Sequence, residues 1–470
     1  MSLEYDLVII GATAAARTAA IEAVNLQARV ALVLLQFSDQ SSRDFYPYAL
    51  AQIAKSSRVS RSPLQPPSSY PWQYAAVASQ RLEQQSSLGL LAAKGVDVII
   101  GNGEFFRRPH LGFRINQRDL RGRAYLIATG SVAHEPSIPG IEQVGYLNLD
   151  RLSGLINREI PCRWAIIGSE SIGIELAQTL AKLGCQVKLI IETTQILPYE
   201  NLETAQLIQA QLEADGVQIY LATTVCKVDL ENTCKLVLIE AESIEVDEIF
   251  MALPDRPLLA SFNLDGVGVD YTDKGISIDK KLQTSHRQIY ACGSVCGNVL
   301  GGYKSENLTQ FEAKIAVQNI LSRRKTKINY DSYNNLPWAV YTDPPLARVG
   351  MKIDAATSSR RRNLVILKQD LTTCPQAIID NNTSGICQII VTHTGQILGA
   401  EIIGQNAPEL IQILALAIQQ KLKIAELIAF PCLSPSYAEL IYQTAQEWYT
   451  FDRTQRRNQP RWRNLLRWWK

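Results

Sequence analysis

No cysteine occurs before position 162, and the nine that follow form no C-x-x-C pair. The spacings that hold a structural zinc are therefore missing. An odd, scattered set of thiols suits a reducing compartment better than a disulfide framework. Cys292 and Cys296, in "ACGSVCG", read as two small core residues rather than a redox pair. No apolar run reaches about 18 residues, which excludes an evident spanning helix. Histidine is scarce, with His110, His134, His286 and His393 only. A net charge of +2 points to no particular partner, and the opening "MSLEY" runs straight into a strand-like stretch, so no signal peptide is expected. The expected location is cytoplasmic. At 470 residues the chain exceeds what one core serves, so several domains are expected.

What is there alternates strand and helix, the pattern of an α/β protein with parallel sheets. "YDLVIIGATAAARTAAIEAV" (5–24) is a strand, a glycine and a small-residue helix. The dinucleotide fingerprint G-x-G-x-x-G/A finds Gly11 and Ala16, but Thr13 stands in the second glycine's place. "RWAIIGSESIGIELAQTLAKLGCQVKLIIE" (163–192) repeats the unit with Gly168, Glu170 and Gly173. Residues 56–71, rich in Ser, Pro and Arg, read as an exposed loop, and 79–95 as one helix. Beyond about 336 the strands and the apolar helix "APELIQILALAIQQ" suggest a separate α+β domain. The end is different again. Residues 453–470 hold seven Arg or Lys, no acid, and Trp462, Trp468 and Trp469.

"IIGATAAA", "YLIATGSVAHEPSIPG", "IIGSESIGIELA", "GISIDKKLQTSHRQIYACGSV", "VYTDPPLARVGM" and "ILGAEIIGQNAPELI" follow one another in order. Together they resemble the flavoprotein disulfide reductases, the group of dihydrolipoamide dehydrogenase, glutathione reductase and mercuric reductase. The resemblance covers about residues 4–450. It implies an α/β fold with two Rossmann-like domains, one for FAD and one for NAD(P)H, and a C-terminal α+β dimerisation domain. The implied boundaries are 1–155 with 275–335 for FAD, 156–274 for NAD and 336–450 for dimerisation, with a basic tail at 451–470. The FAD cradle would comprise Gly11, Ala12, Thr13, Ala14, Ala15, Gln36, Ala128, Thr129, Gly130 and Ser294. Gln36 stands where the family has an acid for the adenosine ribose, and Ser294 replaces the aspartate of its "GD" motif. Gly168, Gly173 and Glu192 would hold the nicotinamide cofactor. A carboxylate at Glu192 accepts both ribose hydroxyls, which favours NADH over NADPH.

The family's chemistry is where the sequence departs. The C-x-x-x-x-C segment expected after the second strand is "FSDQSSRDFYPYALAQIAK" (37–55), without a thiol. The lysine of that motif aligns with Tyr48, and its glutamate partner with Glu175, whose other reading is a helix-surface residue. The family's H-P-T-x-x-E becomes "SPSYAE", with Ser434 for the histidine and Glu439 kept. A serine without a base is not activated, so disulfide reduction is not expected. Tyr48, Glu175 and Glu439 remain as catalytic candidates. Two readings stay open: an FAD-dependent NADH oxidoreductase with an unknown non-disulfide acceptor, or a pseudoenzyme serving as a dimeric platform. A homodimer is implied in both. The tail suits an anionic membrane surface, with a solvated end as the bland alternative. Nucleic acid is the least favoured partner.

Overall fold

The computed structural model describes residues 3–35, 45–59, 69–85, 87–240, 242–259, 262–297, 305–323, 325–328, 330–358 and 364–458. The chain divides into two units, residues 1–199 with 209–333 and residues 200–208 with 334–470.

In the first unit, β1 (Tyr5–Ile10), α1 (Ala14–Asn25), β2 (Val30–Leu34), α2 (Tyr46–Val59), α3 (Tyr70–Gln85), β3 (Asp97–Ile100) and β4 (Gly122–Ile127) open the chain. Next come β5 (Arg163–Ile167), α4 (Ser171–Lys182), β6 (Gln186–Ile190), β7 (Val217–Tyr220) and β8 (Glu248–Met251), then β9 (Ile289–Ala291) and α5 (Glu306–Leu321). Two parallel sheets result, in the orders β9-β4-β1-β2-β3 and β7-β6-β5-β8. A parallel sheet is covered on both faces, so its strands are apolar throughout rather than alternating. In β1, Leu7 and Ile9 enter one core and Val8 and Ile10 the other. Alanines 15, 16, 19, 20 and 23 make one face of α1 thin enough to lie close to the strands and to Ala313, Ala316 and Val317 of α5. Three-stranded antiparallel sheets at 103–120 and 225–246 complete the unit.

The stretch expected to form one helix over 79–95 is divided. α3 ends at Gln85, and the Ser87 side chain accepts from Leu90 N to cap a new short helix, Leu88–Ala93. A serine that caps one helix cannot continue another. The expected loop also shrinks, because α2 reaches Val59 and α3 begins at Tyr70.

The second unit is an antiparallel sheet of β10 (Trp338–Val340), β11 (Leu346–Gly350), β12 (Leu364–Asp370), β13 (Ile386–Thr392) and β14 (Ile397–Ile403), ordered β10-β11-β14-β13-β12. Helices α6 (Ala407–Gln419) and α7 (Glu439–Asn458) share its core through Leu410, Leu414, Leu440 and Trp448.

Candidate cofactor site

The two parallel sheets end in the same turn, built twice. Gly11 has φ +138°, and a Cβ there would lie 2.1 Å from the Ala128 carbonyl oxygen. Gly168 has φ +121°, and its Cβ would lie 2.1 Å from the Ala252 carbonyl oxygen. Only glycine permits either turn. Gly11 N donates to Val33 O at 2.9 Å and Gly168 N to Ile190 O at 3.0 Å, so each turn is tied to the neighbouring strand in the same way. Gly173 completes the second turn, since a Cβ on it would meet the Ala252 methyl at 2.4 Å. These turns bring the first residues of α1 and α4 to the carboxyl ends of the strands, where free N–H groups favour a phosphate.

The N-cap residues differ. Thr13 has φ −68° and ψ 166°, and its hydroxyl both accepts from Ala16 N at 3.3 Å and donates to Ala128 O at 2.8 Å. The threonine thus ties the turn to the end of β4 and uses one N–H of the helix. Ala12 and Ala15 are buried and Ala14 is half-buried. Glu170, at the matching place, makes no side-chain cap to its own helix. Glu192 is exposed just past the end of β6.

Around the first turn, Ala128, Thr129 and Gly130 are buried, and Thr129 Oγ1 donates to Leu258 O at 3.0 Å. Half-buried Ser294 sits in the short 3₁₀ turn Gly293–Val295. Behind that turn lies a residue the sequence reading missed. Glu312 on α5 is only 2% exposed, and its carboxylate accepts from Gly293 N and from the Tyr333 hydroxyl, each at 2.7 Å. Its helical spacing from Leu308, Ile315, Ala316 and Asn319 put it on the buried stripe, and a lone acid there was the available signal. Gln36 lies outside the described residues, as do Trp462, Trp468 and Trp469 of the tail.

Two of the catalytic candidates belong to the first unit and one to the second. Glu175 is not on the helix surface: it is 5% exposed, on the helix α4 against which α2 packs. Tyr48 lies on α2 and is 37% exposed. In the second unit Glu439 accepts from Ser436 N at 3.2 Å and so closes the first turn of α7, while Ser434 is exposed. Among the described residues no helix is long and apolar enough to cross a membrane.

Residues that fill the site fit a dinucleotide: two glycines whose side-chain space is taken by backbone carbonyls, each leading into a helix start at a strand's carboxyl end. The comparisons agree with the geometry. Residues 5–317 match the family model of pyridine nucleotide-disulphide oxidoreductases, and residues 336–445 match that family's dimerisation domain. A mercuric reductase of Bacillus cereus is 26% identical over 442 residues, covering 90% of this chain and 68% of that protein. A dihydrolipoyl dehydrogenase of Bacillus subtilis is 29% identical over 366 residues, 76% of this chain and 77% of its own. Among solved structures, the HOCl-induced flavoprotein disulfide reductase RclA from Escherichia coli has a TM-score of 0.83 at 25% identity, covering 94% of this chain and 99% of that one. With two Rossmann-like sheets, paired glycine turns and these matches along its length, the chain belongs to the pyridine nucleotide-disulphide oxidoreductase family of FAD- and NAD(P)H-dependent flavoproteins.

Proposed function

We propose that this protein is an FAD-dependent oxidoreductase that takes electrons from NADH and passes them to an acceptor other than a disulfide. One observation carries the reading: both turns keep the first glycine, Gly11 and Gly168, that each turn requires, yet no thiol occurs among the first 161 residues. FAD, when bound, supplies the hydride chemistry and the protein positions it. The N–H groups at the start of α1 would receive the FAD pyrophosphate beside Gly11, Ala12, Ala14 and Ala15. Ala128, Thr129 and Gly130 would line the same cleft, and Ser294 would offer one uncharged contact to the ribityl side. At the second turn Gly168 and Gly173 admit the nicotinamide cofactor's pyrophosphate, and Glu192 would accept its ribose hydroxyls and repel a 2′-phosphate. Residues 336–450 would form the homodimer.

FAD titration followed by stopped-flow reduction tests this. The expected result is partial flavin occupancy on purification, higher retention in Ser294→Asp, and faster flavin bleaching by NADH than by NADPH. Dyes or quinones should turn over, and lipoamide, glutathione disulfide and mercuric ion should not. Protein that stays colourless through the titration would overturn this reading and leave the second, a dimeric binding platform without catalysis. Thr13 favours that alternative, because its hydroxyl already occupies an N–H that a phosphate would use.

A further inference from the structure

β5 and β6 run parallel, with Gln186 opposite Arg163 and Val187 opposite Trp164. Gln186 N donates to Cys162 O at 2.8 Å, the rung that closes this pairing, and Cys162 and Cys185 stand immediately before it on their two segments. That rung holds the Cys162 carbonyl against the peptide N–H that follows Cys185 and so brings the two residues close. Neighbouring strands lie about 4.8 Å apart, inside the Cα separation of about 4.4–6.8 Å that a disulfide spans. Burial, and after it the neighbouring Cys162, push the Cys185 thiol up to about 12.

From this register we propose that Cys162 and Cys185 form an oxidant-sensitive thiol pair that closes to a disulfide across the amino-terminal edge of the second parallel sheet. Cys162 is exposed and Cys185 half-buried, so an oxidant meets Cys162 first. Hydrogen peroxide oxidises the Cys162 thiol to a sulfenic acid and releases one water. The Cys185 sulfur then attacks the Cys162 sulfur, the S–O bond breaks, and a second water leaves as the S–S bond forms. Two thiols lose two electrons and two protons, and the peroxide is reduced to water. The pair lies at the opposite end of β5 from Gly168, about 16 Å along a five-residue strand. It is therefore a separate site from the nucleotide turn. A third thiol, Cys234, accepts from the Arg163 guanidinium at 3.2 Å and is the competing partner.

The full-length protein, treated with hydrogen peroxide and digested with trypsin without reductant, reads the outcome by mass spectrometry. The expected product joins peptides 159–163 and 183–188 and is lost on reduction, while thiol titration under denaturing conditions falls by two of nine. Cys185→Ser should abolish the crosslink and leave Cys162 as a sulfenic acid that dimedone traps. A Cys162–Cys234 crosslink, or oxidation of Cys162 in the wild-type protein without any link to Cys185, would overturn the proposal. The wild-type map alone is decisive if a variant fails to fold.

Discussion

Thr13 does two jobs where the family pattern has a residue with no side chain, and both are structural. Its hydroxyl closes the first turn of α1 and ties that turn to Ala128. Thr13→Gly should therefore move two quantities in opposite directions. The protein without flavin should lose about 1–2 kcal/mol, the cost of a cap and one hydrogen bond. FAD affinity should rise about ten-fold, because Ala16 N is released and the backbone is uncovered. Denaturant melts and FAD titration of the same variant measure both, and a fall in affinity would show that Thr13 is a ligand to the cofactor. Glu312 makes a complementary case. Glu312→Ala leaves Gly293 N and the Tyr333 hydroxyl without their acceptor in a buried place. A loss of about 2–4 kcal/mol is expected, with Glu312→Gln recovering part of it. A urea midpoint unchanged in the alanine variant would mean that these bonds carry no net stability.

Among the elements, the segment 200–208 binds to the sheet of the second unit through buried polar groups. Arg348 Nε on β11 lies 2.8 Å from the Glu200 carboxylate, and its guanidinium stacks 4.7 Å from the Trp338 ring. Glu401 on β14 accepts from Asn201 Nδ2 at 3.2 Å and from the Thr204 hydroxyl. Burial pushes the Glu401 carboxyl up to about 7, with the Thr204 hydrogen bond opposing and the Glu200 charge adding to the rise. Burial raises Glu200 as well, against the pull of Arg348 and Lys352. A carboxyl raised in the folded state holds its proton where the unfolded chain has released it. Its stabilisation is complete below its ordinary value of 4.5 and is lost as the pH rises through about 7. Between pH 5 and pH 8 the second unit should weaken by up to about 3 kcal/mol through this group. Glu401→Gln should flatten that dependence. Hydrogen exchange of β14 amides, corrected for intrinsic rates, is the measurement, and equal slopes for both proteins would refute the assignment.

For the whole molecule, the basic, tryptophan-rich end of the chain carries a prediction of its own. α7 runs to Asn458, so three of the seven cations of the terminal stretch, Arg453, Arg456 and Arg457, belong to a helix. The tryptophans and the other four cations follow it. Trp462, Leu465, Leu466 and Trp469 fall at helical spacing on one stripe, a pattern that suits a membrane surface. The full-length protein should sediment with anionic liposomes at low salt, and a chain ending at residue 458 should not. Salt should weaken the interaction by screening. Equal sedimentation of both would remove the membrane role.

The sequence by itself determined the family, the two glycine turns and the lack of any cysteine before position 162. These are local facts: a glycine turn is dictated by φ and by a few neighbouring residues, and a missing cysteine needs no coordinates. Even there, the carbonyl that excludes a side chain at Gly11 comes from Ala128, just past the end of β4. Tertiary structure alone decided the rest. It buried Glu175, set Glu312 behind the Gly293 turn, and brought Asn201 and Thr204 to Glu401 across 200 and 197 residues. Burial and register arise from pairing between distant segments. A periodic pattern shows which face of an element is apolar, but not which polar group on another element will meet it.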